Sequence, residues 1–169
     1  LNVEIFFDYI KRSQKPVIWT LHDCWSFTGH CPHFEMVGCD KWKTECYKCP
    51  MKKEYPSSIF MDRSRTNFRR KQKAFTGIKN ITLVTPSEWL ASRVNESFMN
   101  EYNLQVINNG IDFNIFKPTV SNFRQENALE GKFLILGVAN IWEPRKGLRH
   151  FIELARFLNE DEVIVLVGL

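Results

Sequence analysis

The sequence predicts an α/β protein built from parallel β–α–β units. Short apolar runs at Val17–Leu21, Ile81–Thr85, Phe133–Ala139 and Val163–Val167 read as buried strands. Amphipathic or capped helical stretches alternate with them. That alternation implies parallel strands joined by helical crossovers.

The elements follow in order. Val3 to Arg12 reads as an amphipathic helix whose terminal Lys11 and Arg12 suit the negative end of its dipole. The strand at 17–21 follows Pro16, and a loop over residues 22–56 comes next. A loop of that length is functional or is held by something. Ser57 to Phe75 is expected to be helical and basic. After the strand at 81–85, Ser87 is the expected N-cap of a helix through Phe98, with Glu88 in its first turn. A short strand at Leu104–Ile107 and a turn at Asn108-Asn109-Gly110 follow. Residues 112–131 read as a polar linker with a small helix. Beyond the strand at 133–139, Asn140–Lys146 reads as a polar loop, then Gly147–Leu158 as an amphipathic helix. The chain opens on what reads as a helix already under way and closes on a strand without its loop. A piece of a longer protein is therefore expected.

With 44% hydrophobic residues the chain can build a real core, which excludes a disordered segment. Its apolar runs are too short to cross a bilayer. Charge is unevenly spread. Residues 41–79 carry twelve Lys/Arg against three Asp/Glu, so that stretch is +9 within a chain of net +4. Such a patch suits phosphates, anionic lipid or nucleic acid, or is simply a solvated helix face.

Residues 19–50 hold all five cysteines and three of the four histidines. Cys31, Cys39, Cys46 and Cys49 are separated by seven, six and two residues. Four thiolates can close a tetrahedral structural zinc site, and Cys46-Tyr47-Lys48-Cys49 lets two sulfurs reach one metal. A second close pair is absent, so free thiols and disulfides stay open as readings. His30 and His33 are alternative ligands, and Cys24 is left over as a small hydrophobe. Pro50 and a long loop after the pair argue against a thioredoxin-like redox site. Five cysteines without a secretion signal point to a reducing compartment.

Two further sites follow strands. His22 and Asp23 lie just past a strand's carboxyl end, the edge where open α/β sheets bind ligands. A histidine there can bind a substrate hydroxyl or phosphate, act as a base, or merely hold the loop. Glu143-Pro144-Arg145-Lys146-Gly147 lies between a strand and a helix start, and its two cations suit a diphosphate. It lacks the Walker and dinucleotide glycine patterns.

Taken together, His22-Asp23 after its strand, Thr85-Pro86-Ser87-Glu88-Trp89-Leu90, Ile107-Asn108-Asn109-Gly110-Ile111-Asp112 with Phe116, and the strand leading to Lys146-Gly147 resemble the family 4 glycosyltransferases. The opening Trp19–Cys31 and the cysteine-rich loop resemble the branch found in bacterial exopolysaccharide and colanic-acid-type clusters. The resemblance implies a GT-B fold: parts of two Rossmann-like domains, 1–112 on the acceptor side and 113–169 starting the nucleotide-sugar domain. It implies retaining transfer of a sugar from a nucleotide-diphosphate donor to an acceptor hydroxyl, without a catalytic metal. His22, with Asp23, matches the family position near the transferred sugar. Lys146 matches the lysine that neutralises the donor diphosphate, with Gly147 behind it.

One position departs from the family pattern. An arginine five residues before that lysine is replaced by Ile141, and Arg145 is the candidate substitute. The family's glycine-rich loop and glutamate pair fall outside these 169 residues, so the piece alone is expected to be inactive. The resemblance also implies a saccharide or lipid-linked acceptor and a cytoplasmic location. Contact with anionic membrane through 63–75 would use Arg63, Arg65, Arg69, Arg70, Lys71 and Lys73 interleaved with Phe68 and Phe75. The competing readings are a zinc-stabilised nucleic-acid-binding module and a non-catalytic sugar-nucleotide binding protein.

Overall fold

The computed structural model describes residues 2–58 and 60–169. The chain divides into two compact units, Leu1–Gly110 and Ile111–Leu169.

The first unit is a three-stranded parallel sheet in the order β1-β2-β3, formed by Val17–Thr20, Ile81–Thr85 and Asn103–Val106. Helix α1 (Val3–Ser13) precedes β1, α2 (Ser64–Phe75) joins β1 to β2, and α3 (Glu88–Asn95) joins β2 to β3. Asn2 caps α1 by accepting the amides of Glu4 and Ile5, and Gln14 closes it in the left-handed region. Apolar positions at helical spacing put Phe7 and Ile10 inward. Phe7 then meets Phe75 of α2 and Trp19 of β1, with ring centroids 4.5 and 5.0 Å apart. Leu83, opposite Trp19 in the ladder, is fully buried.

The core does not stop at the sheet. It continues through Leu21, Cys24, Phe27, Cys31, Phe34 and Trp42, all in the long segment after β1. Trp42 stacks on Phe34 at 4.8 Å and tilts against Phe27 at 5.4 Å. The segment is thus held by its own aromatic cluster.

Local elements depart from expectation in three places here. Helix α2 starts at Ser64, not Ser57. The Asp62 carboxylate accepts the Ser64 amide and the Cys49 amide, both at 2.8 Å, and so ties the preceding chain into a turn. Helix α3 stops at Asn95, where Glu96 and Ser97 close it with short-range bonds. Asn108–Gly110 forms no turn, because β3 does not return on itself. Asn108 instead donates to the Pro86 carbonyl at 2.9 Å. The turn comes at Asp112, whose side chain accepts the Asn114 amide. Ser87 caps α3 as expected, accepting the Leu90 amide at 3.3 Å.

In the second unit, β4 (Phe133–Val138) pairs in parallel with β5 (Glu162–Val167). The short helix α4 (Phe123–Glu126) precedes them, and α5 (Leu148–Leu154) crosses between them. A Cβ on Gly137 would stand 2.7 Å from Leu166 and 2.8 Å from Phe151, so only glycine lets α5 approach the strand this closely. The far side of β4 has no cover within the unit. Leu136 and Val138 on that side are exposed; Phe133 on the α5 side and Leu166 and Val167 of β5 are exposed as well, against the expectation of buried strands. Helix α5 is shorter than the expected 147–158, since Arg156 and Phe157 wind into a tighter turn. No helix among the described residues is long and apolar enough to cross a membrane.

Candidate functional site

At the end of β1 the Leu21 amide still reaches the Val84 carbonyl at 2.8 Å, and the chain then leaves the sheet. His22 is exposed at this carboxyl edge. Asp23 is half-buried, and its Oδ1 accepts the Trp25 amide at 2.8 Å, which starts the 3-10 turn Trp25–Phe27. The structure thus gives Asp23 a loop-forming bond and leaves His22 open.

Lys71 holds the same loop from α2. Its Nζ donates to the carbonyls of Trp25 at 2.6 Å and Thr28 at 3.0 Å, and sits 3.4 Å from the centroid of the Trp25 ring. Burial pulls its ammonium down to about 7, against the pull of Cys46 and Asp23. Lys71 is therefore buried and does not belong to the surface stripe expected over 63–75. The signal for this was its position, on one helical face with Ser64, Phe68 and Phe75, all buried.

Beside this clamp lies a cavity of about 540 Å³ between the start of α1, the loop after β1, and α2. Helices that precede a parallel strand begin at its carboxyl edge, so this cavity opens on the ligand-binding side. Of the two basic side chains of α2 that line it, Lys71 holds the loop and Arg70 is forked onto Glu4, with both bonds at 3.0 Å.

Two further cations of the basic helix are engaged as well. Arg65 and Arg69 both meet Glu45, at 3.2 and 2.5 Å. Phe68 and Phe75 are 2% and 1% exposed. The interleaved aromatic and basic face expected over 63–75 therefore does not form, because the aromatic positions are core positions.

Cys31, Cys39, Cys46 and Cys49 line one small cavity with His30 and Trp42. The Gly29 amide donates to Cys46 Sγ at 3.2 Å. A Cβ on Gly29 would lie 2.1 Å from the Ser64 carbonyl oxygen and 2.7 Å from Cys46 Cβ, so the approach needs glycine. Burial, then the neighbouring Cys49, pushes the Cys31 thiol up to about 12. Burial pushes Cys46 up to about 11, with the Gly29 hydrogen bond opposing it. All five cysteines are free thiols. Cys24 is buried outside this cavity, and His33 is exposed. Among the described residues, no group of three or more His, Cys, Asp or Glu side chains stands so that it could hold a metal ion.

In the second unit, Pro144–Lys146 forms a 3-10 turn that ends on Gly147 at φ +78°, a conformation that favours glycine. Arg145 bonds its own neighbour Glu143 at 2.6 Å, so its charge is partly spent within the loop. Lys146 is exposed and makes no ion pair among the described residues. Ile141 is 55% exposed and adds no charge.

Parallel sheets carrying ligand-side loops define an α/β protein of partial Rossmann-like construction, and its sequence is similar to a glycosyl transferase of the exopolysaccharide type. Over 115 residues it is 36% identical to the protein named "Putative colanic acid biosynthesis glycosyl transferase WcaC" of Escherichia coli (strain K12). The match covers 66% of this chain and 27% of that protein. The chain therefore spans about a quarter of the relative's length, and the alignment bears out the resemblance carried by the motifs. No family model matches the chain. No solved structure matches it.

Proposed function

We propose that this chain is part of a retaining glycosyltransferase that moves a sugar from a nucleotide-diphosphate donor to an acceptor hydroxyl in bacterial polysaccharide biosynthesis. The observation that carries the reading is the 36% identity to the colanic acid glycosyl transferase. In the reaction the anomeric carbon–oxygen bond to the diphosphate breaks. The acceptor oxygen bonds to that carbon and loses its proton, and the nucleoside diphosphate leaves with the electron pair. Negative charge grows on the departing phosphate, and a fixed cation aimed at it lowers the barrier. Lys146, exposed and without an ion-pair partner among the described residues, is the cation assigned to that task, with Arg145 secondary because Glu143 competes for it. His22, exposed at the carboxyl edge of β1, is assigned to the transferred sugar or the acceptor hydroxyl. The acceptor is a saccharide or lipid-linked saccharide, and the reaction is cytoplasmic.

The test is thermal shift of the whole parent protein with UDP-, GDP- and ADP-sugars. A donor at a hundred times its dissociation constant adds about 2.7 kcal/mol of stability. We expect one nucleotide class to shift the melting temperature, and Lys146→Ala to weaken that shift. A folded parent protein that responds to none of them would sink the reading.

A further inference from the structure

We propose that Cys31, Cys39, Cys46 and Cys49 together hold one zinc ion as a structural tetrathiolate site. The side chains come from three places in the segment after β1, Cys31, Cys39 and the Cys46–Cys49 pair, yet all line one cavity. The inference stands apart from sugar transfer, since it concerns what fastens this segment.

The surroundings of the cavity are those of an anion. The Gly29 amide already points at Cys46 Sγ. Trp42 Nε1 and His30 Nε2 are buried without a hydrogen-bond partner among the described residues, and both residues line the same cavity. Orphaned buried polar groups need an explanation. Lys71 is buried too, and among the described residues it has no carboxylate partner, only two carbonyls and a ring. Apart from the Gly29 amide, which already reaches Cys46, the neutral thiols leave these groups without an acceptor or a counter-charge. A zinc ion with four thiolates carries a net charge of −2, and so supplies acceptors for the N–H groups and a counter-charge for Lys71. Binding displaces four protons, one from each thiol, into solvent.

The pair Cys46–Cys49 is also braced as a ligand loop. Lys41 Nζ donates to the carbonyls of Tyr47 and Lys48, at 3.1 and 3.3 Å, and Asp62 holds the Cys49 amide. The sulfurs line one cavity, but as they stand no group of three or more His, Cys, Asp or Glu side chains among the described residues could hold a metal ion, so the site closes only when zinc binds. Zinc–sulfur bonds of about 2.3 Å require sulfurs about 3.8 Å apart, and protonated thiols have nothing to draw them to that spacing.

The experiment measures metal in the whole parent protein, purified without chelator, by mass spectrometry. About one zinc per chain is expected. Cobalt(II) exchanged into the stripped protein should give the intense visible bands of a tetrahedral tetrathiolate. Cys39→Ser should lower zinc content towards zero, while Cys24→Ala, outside the cavity, should retain it. The wild-type metal content and cobalt spectrum stand even if a variant misfolds. A protein free of metal with reactive thiols, a disulfide among the four, or iron in place of zinc would each overturn the proposal. Nucleotide-sugar binding is read separately, so loss of one result leaves the other intact.

Discussion

The loops that leave the carboxyl ends of β1 and β4 are built in opposite ways. The segment after β1 is long and carries its own core, with Phe27 and Trp42 at 0% and 1% exposure. The segment after β4 is short, and its cations Arg145 and Lys146 stand in solvent. The first is mostly architecture, with His22 exposed where it leaves the strand. The second is mostly exposed charge on a thin support. Position at a strand end therefore does not fix what a loop does; the balance of burial and free charge does.

The sharpest way to break that contrast is to empty the buried loop. Trp42→Ala removes a stacked, fully buried ring, and chemical denaturation should show a loss of about 3–5 kcal/mol. Lys146→Ala should change stability by less than about 0.5 kcal/mol, as exposed substitutions do. A comparable loss from both would mean that the short loop is structural as well.

Lys71→Met should come next. It leaves the Trp25 and Thr28 carbonyls without their donor, at a cost of about 1–3 kcal/mol. Its pH signature has a definite sign. The unfolded chain keeps the proton up to about 10.5, while the folded, metal-free chain releases it at about 7. The unfolded state then binds more protons across that window, so stability rises with pH from 7. Burial raises Cys24, Cys31 and Cys46 above their usual 9.0, which makes stability fall again beyond pH 9. Between pH 7 and 9 the metal-stripped wild type should gain stability and Lys71→Met should not. A flat wild-type profile would mean that the two carbonyls and the Trp25 face keep Lys71 charged.

Much of this was legible because it is local. The strands β1, β2, β4 and β5 announce themselves as apolar runs, and Ser87 as a cap needs only the residues after it. What stayed hidden is non-local. The start of α2 depends on Asp62 reaching Cys49, thirteen positions back. The ion pairs of Arg65 and Arg69 depend on the one carboxylate of Glu45, and that of Arg70 on Glu4. A run of positive charge reads the same whether its partners are across the fold or absent. Lys71 was misplaced for a different reason: its residue type outweighed its helical face.

Smaller effects sharpen the same point. Asp62→Ala frees the amides of Ser64 and Cys49 and should cost about 0.5–2 kcal/mol, by analogy with lost caps. Against the cost of its own burial, those hydrogen bonds hold the Asp62 carboxylate below its ordinary 3.8, so its contribution should fade only as pH falls below that value. Arg69→Ala, at an exposed ion pair, should cost less than about 1 kcal/mol in the same denaturation assay.

Gly29 decides where this chain can be lengthened. Its α-carbon is pressed between the first residue of α2 and the cysteine pair, with no room for a methyl group. Those two segments are separated by the exposed stretch around Lys53–Tyr55. Added residues there would bulge into water and leave the pinch intact, whereas one residue added at 28–30 would pull the loop off the helix. A tag, a label or a protease site belongs in the first place and never in the second.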